Sequence, residues 1–132
     1  MELRNLYDNL ELGIPALWNV LLEREPYQCI RMSEMPSYIK HEQYIRSKPY
    51  VGWYLIYVDG EIIGHINVSC ERRLGIFLFE ECTGREMGKE AIRLLRKLHP
   101  GTLLAEVNPA NARSLKFFAK MGKVAYITYE VK

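Results

Sequence analysis

Residues 74 to 107 carry the pattern that most narrows the fold. Leu74-Gly-Ile-Phe-Leu-Phe79 is a short apolar run bounded by charged residues, which reads as a buried strand. After a polar stretch, Met87, Ala91, Leu94, Leu95 and Leu98 recur at helical spacing, with Lys89, Glu90, Arg93, Arg96 and Lys97 on the outward side. Pro100-Gly101 stops that helix, and Thr102-Leu-Leu-Ala-Glu-Val107 reads as another strand. Strand, helix and strand in this order form a βαβ crossover within a sheet that helices cover.

The other segments fit around this unit. Trp53–Val58 and Glu61–Val68 flank Asp59-Gly60, a strong hairpin signal between two β-prone runs. Upstream, Ile14, Leu17, Trp18, Leu21 and Leu22 predict a helix with Pro15 in its first turn, ending before Pro26. A second helix is expected from Ser37 to Ser47, with Ser37 as N-cap and Tyr38, His41 and Ile45 on one side. Downstream, a helix starts near Asn111, with Leu115, Phe118 and Ala119 inward and Gly122 closing it. Val124 to Val131 alternates as a final strand. The expected order is α, α, β, β, β, α, β, α, β: an α/β (mixed α+β) domain over residues 1–132, with a mixed sheet and helices on both faces.

Composition excludes several classes. A chain of 132 residues buries enough surface to fold without disulfides or metals. Eighteen basic against 16 acidic residues leave a net charge of +2, so no nucleic-acid partner is expected. Cys29, Cys70 and Cys82 form no CxxC or CxxH pair, which argues against a metal site and for reduced thiols. Met1 to Leu12 lacks the basic start and apolar core of a leader, and no apolar run nears the roughly 18 residues of a membrane span. The expected compartment is the cytoplasm, with no membrane partner.

The chemistry concentrates in two places. The strand ending at Phe79 feeds through Glu80-Glu81-Cys82-Thr83-Gly84-Arg85-Glu86-Met87-Gly88 into the long helix. Free amides and the dipole at a helix N-terminus attract anions, and glycines let a phosphate approach the backbone. Gly84 and Gly88 read equally well as turn and helix-packing residues. In the second place, Asn108, Asn111 and Ser114 stand at the start of a helix directly after a strand.

Together these segments resemble the GNAT N-acetyltransferase family. That family enters its third helix through Gln/Arg-x-x-Gly-x-Gly/Ala. Its later unit, Asn-x-x-Ser/Ala-x-x-Phe/Leu-Tyr-x-Lys-x-Gly, is matched by Asn111, Ser114, Phe117, Phe118, Lys120 and Gly122. Arg73 to Leu78 are similar to its central strand, and the hairpin with Gly64 fits, so the resemblance spans about Trp53 to Gly122.

The resemblance implies a central sheet with a β-bulge and a V-shaped cleft for acetyl-CoA, and an acetyl transfer to an amine acceptor. The pantetheine arm would add, strand-like, beside Phe77, Leu78 and Phe79. The pyrophosphate would meet Thr83, Gly84, Arg85, Met87, Gly88 and Lys89. Asn111, Ser114 and Phe118 would line the other wall, and Lys120 would approach the nucleotide phosphates. Three positions depart from the pattern: Thr83 replaces Gln or Arg, Glu86 replaces a glycine, and Phe118 replaces the tyrosine that often serves as acid. Tyr126 or water is then the expected proton donor to the thiolate.

The family's frequent glutamate base falls at Arg73, so another base is needed. His65, which shares a strand face with Asn67, is the first choice and Glu71 the second, ahead of Glu80, Glu81 and Glu106. Ser33, Ile39, His41 and Tyr44 before Trp53-Tyr54 look like relatives acting on amino-sugar nucleotides or on protein and polyamine amines. The primary amine of a small molecule, an amino-sugar nucleotide first, is the expected acceptor, with a protein amine or a catalytically silent CoA sensor as alternatives. The short stretch after Gly122 points to a shortened C-terminal end and a homodimer.

Overall fold

The computed structural model describes residues 1–25, 34–84 and 86–132. A five-stranded sheet holds β1 (Glu2–Asn5), β2 (Gly52–Val58), β3 (Glu61–Val68), β4 (Arg73–Leu78) and β5 (Leu104–Ala105), in that order across it. Neighbours are antiparallel except β4 and β5, which are parallel. The helices are α1 (Leu10–Leu22), α2 (Tyr38–Arg46), α3 (Met87–Leu98) and α4 (Ala112–Met121).

The β2–β3 hairpin turns at Asp59 (φ 52°) and Gly60 (φ 79°), whose paired left-handed angles suit the strand twist. Farther along, Ile56 pairs with Gly64 while Tyr57 pairs with Ile62, so Ile63 is the extra residue of a β-bulge. Alternation puts Trp53, Leu55 and Tyr57 on one face, packed with Ile14 and Leu17 of α1 and Ile45 of α2. Ile56, Ile66 and Val68 form the second core with Ala91, Ile92 and Leu95 of α3, and Phe117 and Phe118 of α4 pack against it. Burying each such aliphatic side chain stabilises the fold by about 1.5–3 kcal/mol. The sheet is thus covered by helices on both faces, as expected.

Local chemistry sets several boundaries. Ser37 Oγ accepts from the Lys40 amide at 3.3 Å and caps α2 at the expected residue. α1 starts at Leu10, which puts Pro15 inside it and not in its first turn. The pattern misses that start because Leu10–Leu12 follow a 3-10 turn, Leu6–Asp8, that delivers the chain into the helix.

Three further expectations are corrected. β1, unread in the sequence, exists because β2 offers it an edge: Glu2 to Asn5 pair in register with Tyr57 to Tyr54. Val124–Val131 forms no strand, and Val124, Ile127, Tyr129 and Val131 are exposed. Alternation alone does not make a strand without a partner ladder, and β5, the adjacent edge, is two residues long. In α4 the half-buried apolar residues are Phe117 and Phe118, while Leu115 and Ala119 are exposed, because the helix turns its aromatic edge to α3.

Candidate active site

β4 and β5 pair only at Arg73↔Leu104 and Leu74↔Ala105. From Gly75 onward β4 stays on β3 and the two parallel strands separate, opening a V. Backbone polarity along β4 is set by three bonds. The Arg72 carbonyl accepts from Leu104 N–H, the Arg73 carbonyl from Ser69 N–H, and Phe79 N–H donates to Ile63 O. Successive residues face opposite neighbours, so Ile76 and Leu78 turn their N–H and C=O groups into the V. Of the three residues expected to bond a ligand arm, Leu78 presents its backbone there, with Ile76 beside it. Phe77 points its backbone at β3, and Phe79 gives its N–H to β3 and its carbonyl to the Cys82 amide.

The N-terminus of α3 lies beyond the open end of β4. Its first helical bond runs from Glu90 N–H to Glu86 O, leaving the amides of Met87, Gly88 and Lys89 ahead of the ladder. Gly84 (φ 75°) and Glu86 (φ 62°) are both left-handed, and Arg85 lies outside the described residues. Gly88 also serves packing: a Cβ there would sit 3.2 Å from Phe117 Cζ. Lys89 lines a groove of about 390 Å³ with Glu86, Arg93, Arg96 and Met121. Lys120 is exposed on the last turn of α4, outside that groove.

Residues 80–83 are tied to two helices. The Glu80 amide donates to Glu23 Oε1 at the end of α1 (2.8 Å), and Arg113 of α4 donates to both Glu80 carboxylate oxygens (3.0 and 3.2 Å). Thr83 Oγ1 donates to the Glu80 carbonyl, a turn-closing bond. Sequence reading missed Arg113 and Glu23, because neither belongs to a motif and only the fold brings them to this loop. Asn111 caps α4, its Oδ1 accepting from the Ser114 amide (3.2 Å). Phe118 packs edge-on against Phe117, with ring centroids 4.9 Å apart.

On the α1/α2 face, Trp53 Nε1–H donates to His65 Nδ1 at 3.1 Å, and the His65 ring lies 4.8 Å from that of Phe77. Burial, then the Arg24 guanidinium and His41, push the His65 pKa down to about 3. With its Nδ1 lone pair committed and its ring neutral at pH 7, His65 fits a core acceptor and not a general base. The unfolded chain binds a proton near pH 6.5 that the folded chain refuses until about pH 3. Stability is therefore lost as pH falls through that window, by up to about 1.4 kcal/mol per unit. Urea unfolding between pH 7 and 5 should show this slope, and His65→Gln should flatten it.

His41 Nε2–H donates to the Ile14 carbonyl at 3.0 Å, buried between α1 and α2, so it faces a helix and not an acceptor. Ser33 and Cys29 lie outside the described residues.

Beside the V, Arg73 stands between two carboxylates. Nη1 donates to Glu71 Oε2 (2.6 Å), Nε faces Glu106 Oε1 (3.3 Å), and Nη2 donates to the Tyr126 hydroxyl (3.0 Å). The Tyr126 hydroxyl first, and then the Glu71 carboxylate, hold the guanidinium pKa above its ordinary value. Arg73 is thus the cation shared by Glu71 and Glu106. Glu71 is exposed, while Glu106 is half-buried on the stretch of chain leaving β5 as the V opens. Among the described residues, no cluster of His, Cys, Asp and Glu could hold a metal ion.

Residues 15–123 match the family model of the acetyltransferase (GNAT) family. The chain belongs to that family. The GNAT fold is also found in solved structures that share 12 to 17% identity with it. A ribosomal-protein-alanine N-acetyltransferase from Brucella melitensis aligns with TM-score 0.67 at 16% identity, over 92% of this chain and 83% of that one. A possible acetyltransferase from Clostridium difficile 630 gives 0.65 at 12%, over 99% and 96%. The aminoglycoside acetyltransferase AAC(6')-Ib in complex with coenzyme A gives 0.61 at 17%, over 92% and 81%. No curated protein matches the sequence. GNAT enzymes use acetyl-CoA, and this chain's open β4 edge and the α3 amides, which have no partner among the described residues, suit a polar arm ending in a pyrophosphate. Glu86 is the residue that works against the fit.

Proposed function

We propose that this chain is a GNAT acetyltransferase that moves an acetyl group from acetyl-CoA to a primary amine. The observation that carries the reading is the parting of β4 and β5 after Leu74 and Ala105, which leaves Ile76 and Leu78 backbone groups open beside the first turn of α3. Those groups bond an extended amide arm as another strand would. The Met87, Gly88 and Lys89 amides receive phosphate oxygens. When bound, acetyl-CoA supplies a thioester carbonyl as electrophile.

Glu106 is the base in this reading. It lies at the vertex, is shielded more than Glu71, and is held by Arg73. The amine nitrogen bonds the acetyl carbon, the carbon–sulfur bond breaks, and the amine proton passes to the Glu106 carboxylate. Phe118 has no proton to give, so the thiolate, whose ordinary pKa is about 8.5, takes one from water.

With His41 turned toward Ile14, the support for an amino-sugar nucleotide weakens. A peptide amine and a small-molecule amine remain the two acceptor classes, and relatives acting on each share the fold. A cytoplasmic setting fits the acyl donor, and no helix among the described residues is long and apolar enough to cross a membrane.

CoA and acetyl-CoA should raise the melting temperature as they occupy the site. Thiol release is then followed with an alanine-initiated peptide, an aminoglycoside and an amino-sugar nucleotide. No thermal shift at millimolar CoA sinks the reading, and binding without turnover on any amine favours the sensor alternative. Glu106→Gln should cut kcat by about 10²–10⁴ and remove the acid limb of the pH profile, with CoA binding unchanged. Loss of CoA binding in this variant would instead give Glu106 a structural role.

A further inference from the structure

Asn67 is 3% exposed, and among the described residues its carboxamide has no hydrogen-bond partner. An amide so nearly enclosed that makes no hydrogen bond within the protein is uncommon and calls for a reason, and its polar atoms are not fully buried. Its place in the sheet supplies one. Trp53 pairs with Asn67 across β2 and β3, and Asn67 pairs with Gly75 across β3 and β4. Two residues past the Arg73↔Leu104 pair, Gly75 and Glu106 continue the same row on the same face, just where the strands part.

Gly75 is what lets the amide reach this vertex. A Cβ at Gly75 would stand 3.0 Å from Asn67 Oδ1 and 3.2 Å from Nδ2, so the carboxamide occupies the side-chain space that the glycine vacates. Of the other polar groups of the row, Trp53 N–H donates to His65 and Arg73 donates to Glu71 and Tyr126, while the buried Arg73 Nε faces Glu106 at 3.3 Å without a hydrogen bond.

We propose that Asn67 is a specificity residue that holds the acceptor nitrogen and selects primary amines, a role that rests on the acyl-transfer reading above. A neutral primary amine has two N–H bonds and one lone pair. Asn67 Oδ1 accepts one N–H and Glu106 faces the other, which aims the lone pair at the thioester carbon. As the nitrogen–carbon bond forms, the carbon–sulfur bond breaks, the thiolate leaves with the electron pair, and the proton passes to Glu106. A secondary amine has a single N–H and leaves one of the two acceptors unpaired.

The test compares ethylamine with N-methylethylamine as acceptors, in the wild type and in Asn67→Leu. The wild type should favour ethylamine at least tenfold in kcat/KM. Asn67→Leu should keep the CoA thermal shift, raise the ethylamine KM about tenfold, and bring the preference within threefold. Gly75→Ala, which crowds the carboxamide without removing it, should move both quantities the same way. An Asn67→Leu enzyme with unchanged KM and preference overturns the proposal. Should that variant fail to fold, or ethylamine fail to turn over, the Asn67 side-chain amide signals of the CoA-saturated wild type decide. Ethylamine should shift them, and signals that stay fixed overturn the proposal. A wild type that binds no CoA removes the acyl-transfer reading and this inference together, an outcome distinct from a failure of Asn67 alone.

Discussion

Glu86→Gly is expected to tighten CoA binding about tenfold and to raise the melting temperature by about 3 °C. Glu86 holds φ 62° and ψ 7° at the N-cap of α3, with no side-chain capping bond. A left-handed conformation costs a residue with a Cβ about 1 kcal/mol or more, and glycine removes that cost. The carboxylate's favourable interaction with the helix dipole, about 0.3–1 kcal/mol, is lost and offsets part of the gain. For a domain of this size the remainder corresponds to a few degrees. The affinity gain has a separate origin. The carboxylate stands one residue before the Met87, Gly88 and Lys89 amides, where it repels any phosphate they receive. Calorimetric titration of CoA at low and high salt separates the two effects, since the repulsion is screened and the backbone strain is not. Unchanged affinity at low salt would place the phosphates elsewhere.

Gly64→Ala is expected to destabilise the domain by about 3 kcal/mol or more, lowering the melting temperature by more than 10 °C. The new Cβ would collide with the Phe77 carbonyl oxygen and stand 2.8 Å from Leu78 Cα, and both are backbone atoms of the neighbouring strand. Relief requires β4 to move off β3 beside the bulge at Ile63. That movement breaks the Phe79 N–H bond to the Ile63 carbonyl and displaces Leu78, whose backbone faces the V. Thermal melts with and without CoA should therefore show lost stability together with lost CoA response. A variant that melts within 2 °C of wild type would show that β4 is free to shift.

Much of the fold was legible because its elements rest on local chemistry. Asp59-Gly60 suits a left-handed two-residue turn, Ser37 caps its helix through its own hydroxyl, and α3 buries Ala91 and Leu95 as read, though Leu98 is exposed and Ile92 takes an inward place. The misreadings share one cause. β1 exists only because β2 offers an edge, and the tail from Val124 lacks a ladder despite its alternation. Leu115 and Ala119 have apolar side chains, yet the orientation of α4 favours Phe117 and Phe118.

The site divides along the same line. The amides before α3 and the cap at Asn111 could be placed from residue order, since a helix N-terminus is a local feature. His65 looked like a base because imidazole often is one. Its role changed once Trp53, twelve residues earlier, proved to donate to it across the β2–β3 hairpin. Glu106 and Asn67 were two of many polar residues until the register set them either side of Gly75 at the parting of β4 and β5.

By itself the sequence determined the presence of the helices, the hairpin and the GNAT-like motifs, because each depends on residues within a few positions of one another. The tertiary structure decided which strand edges are open, which histidine is buried against a tryptophan and which amide packs against Gly75. Those properties belong to neighbours far apart in the chain, and only packing specifies their distance, burial and charge.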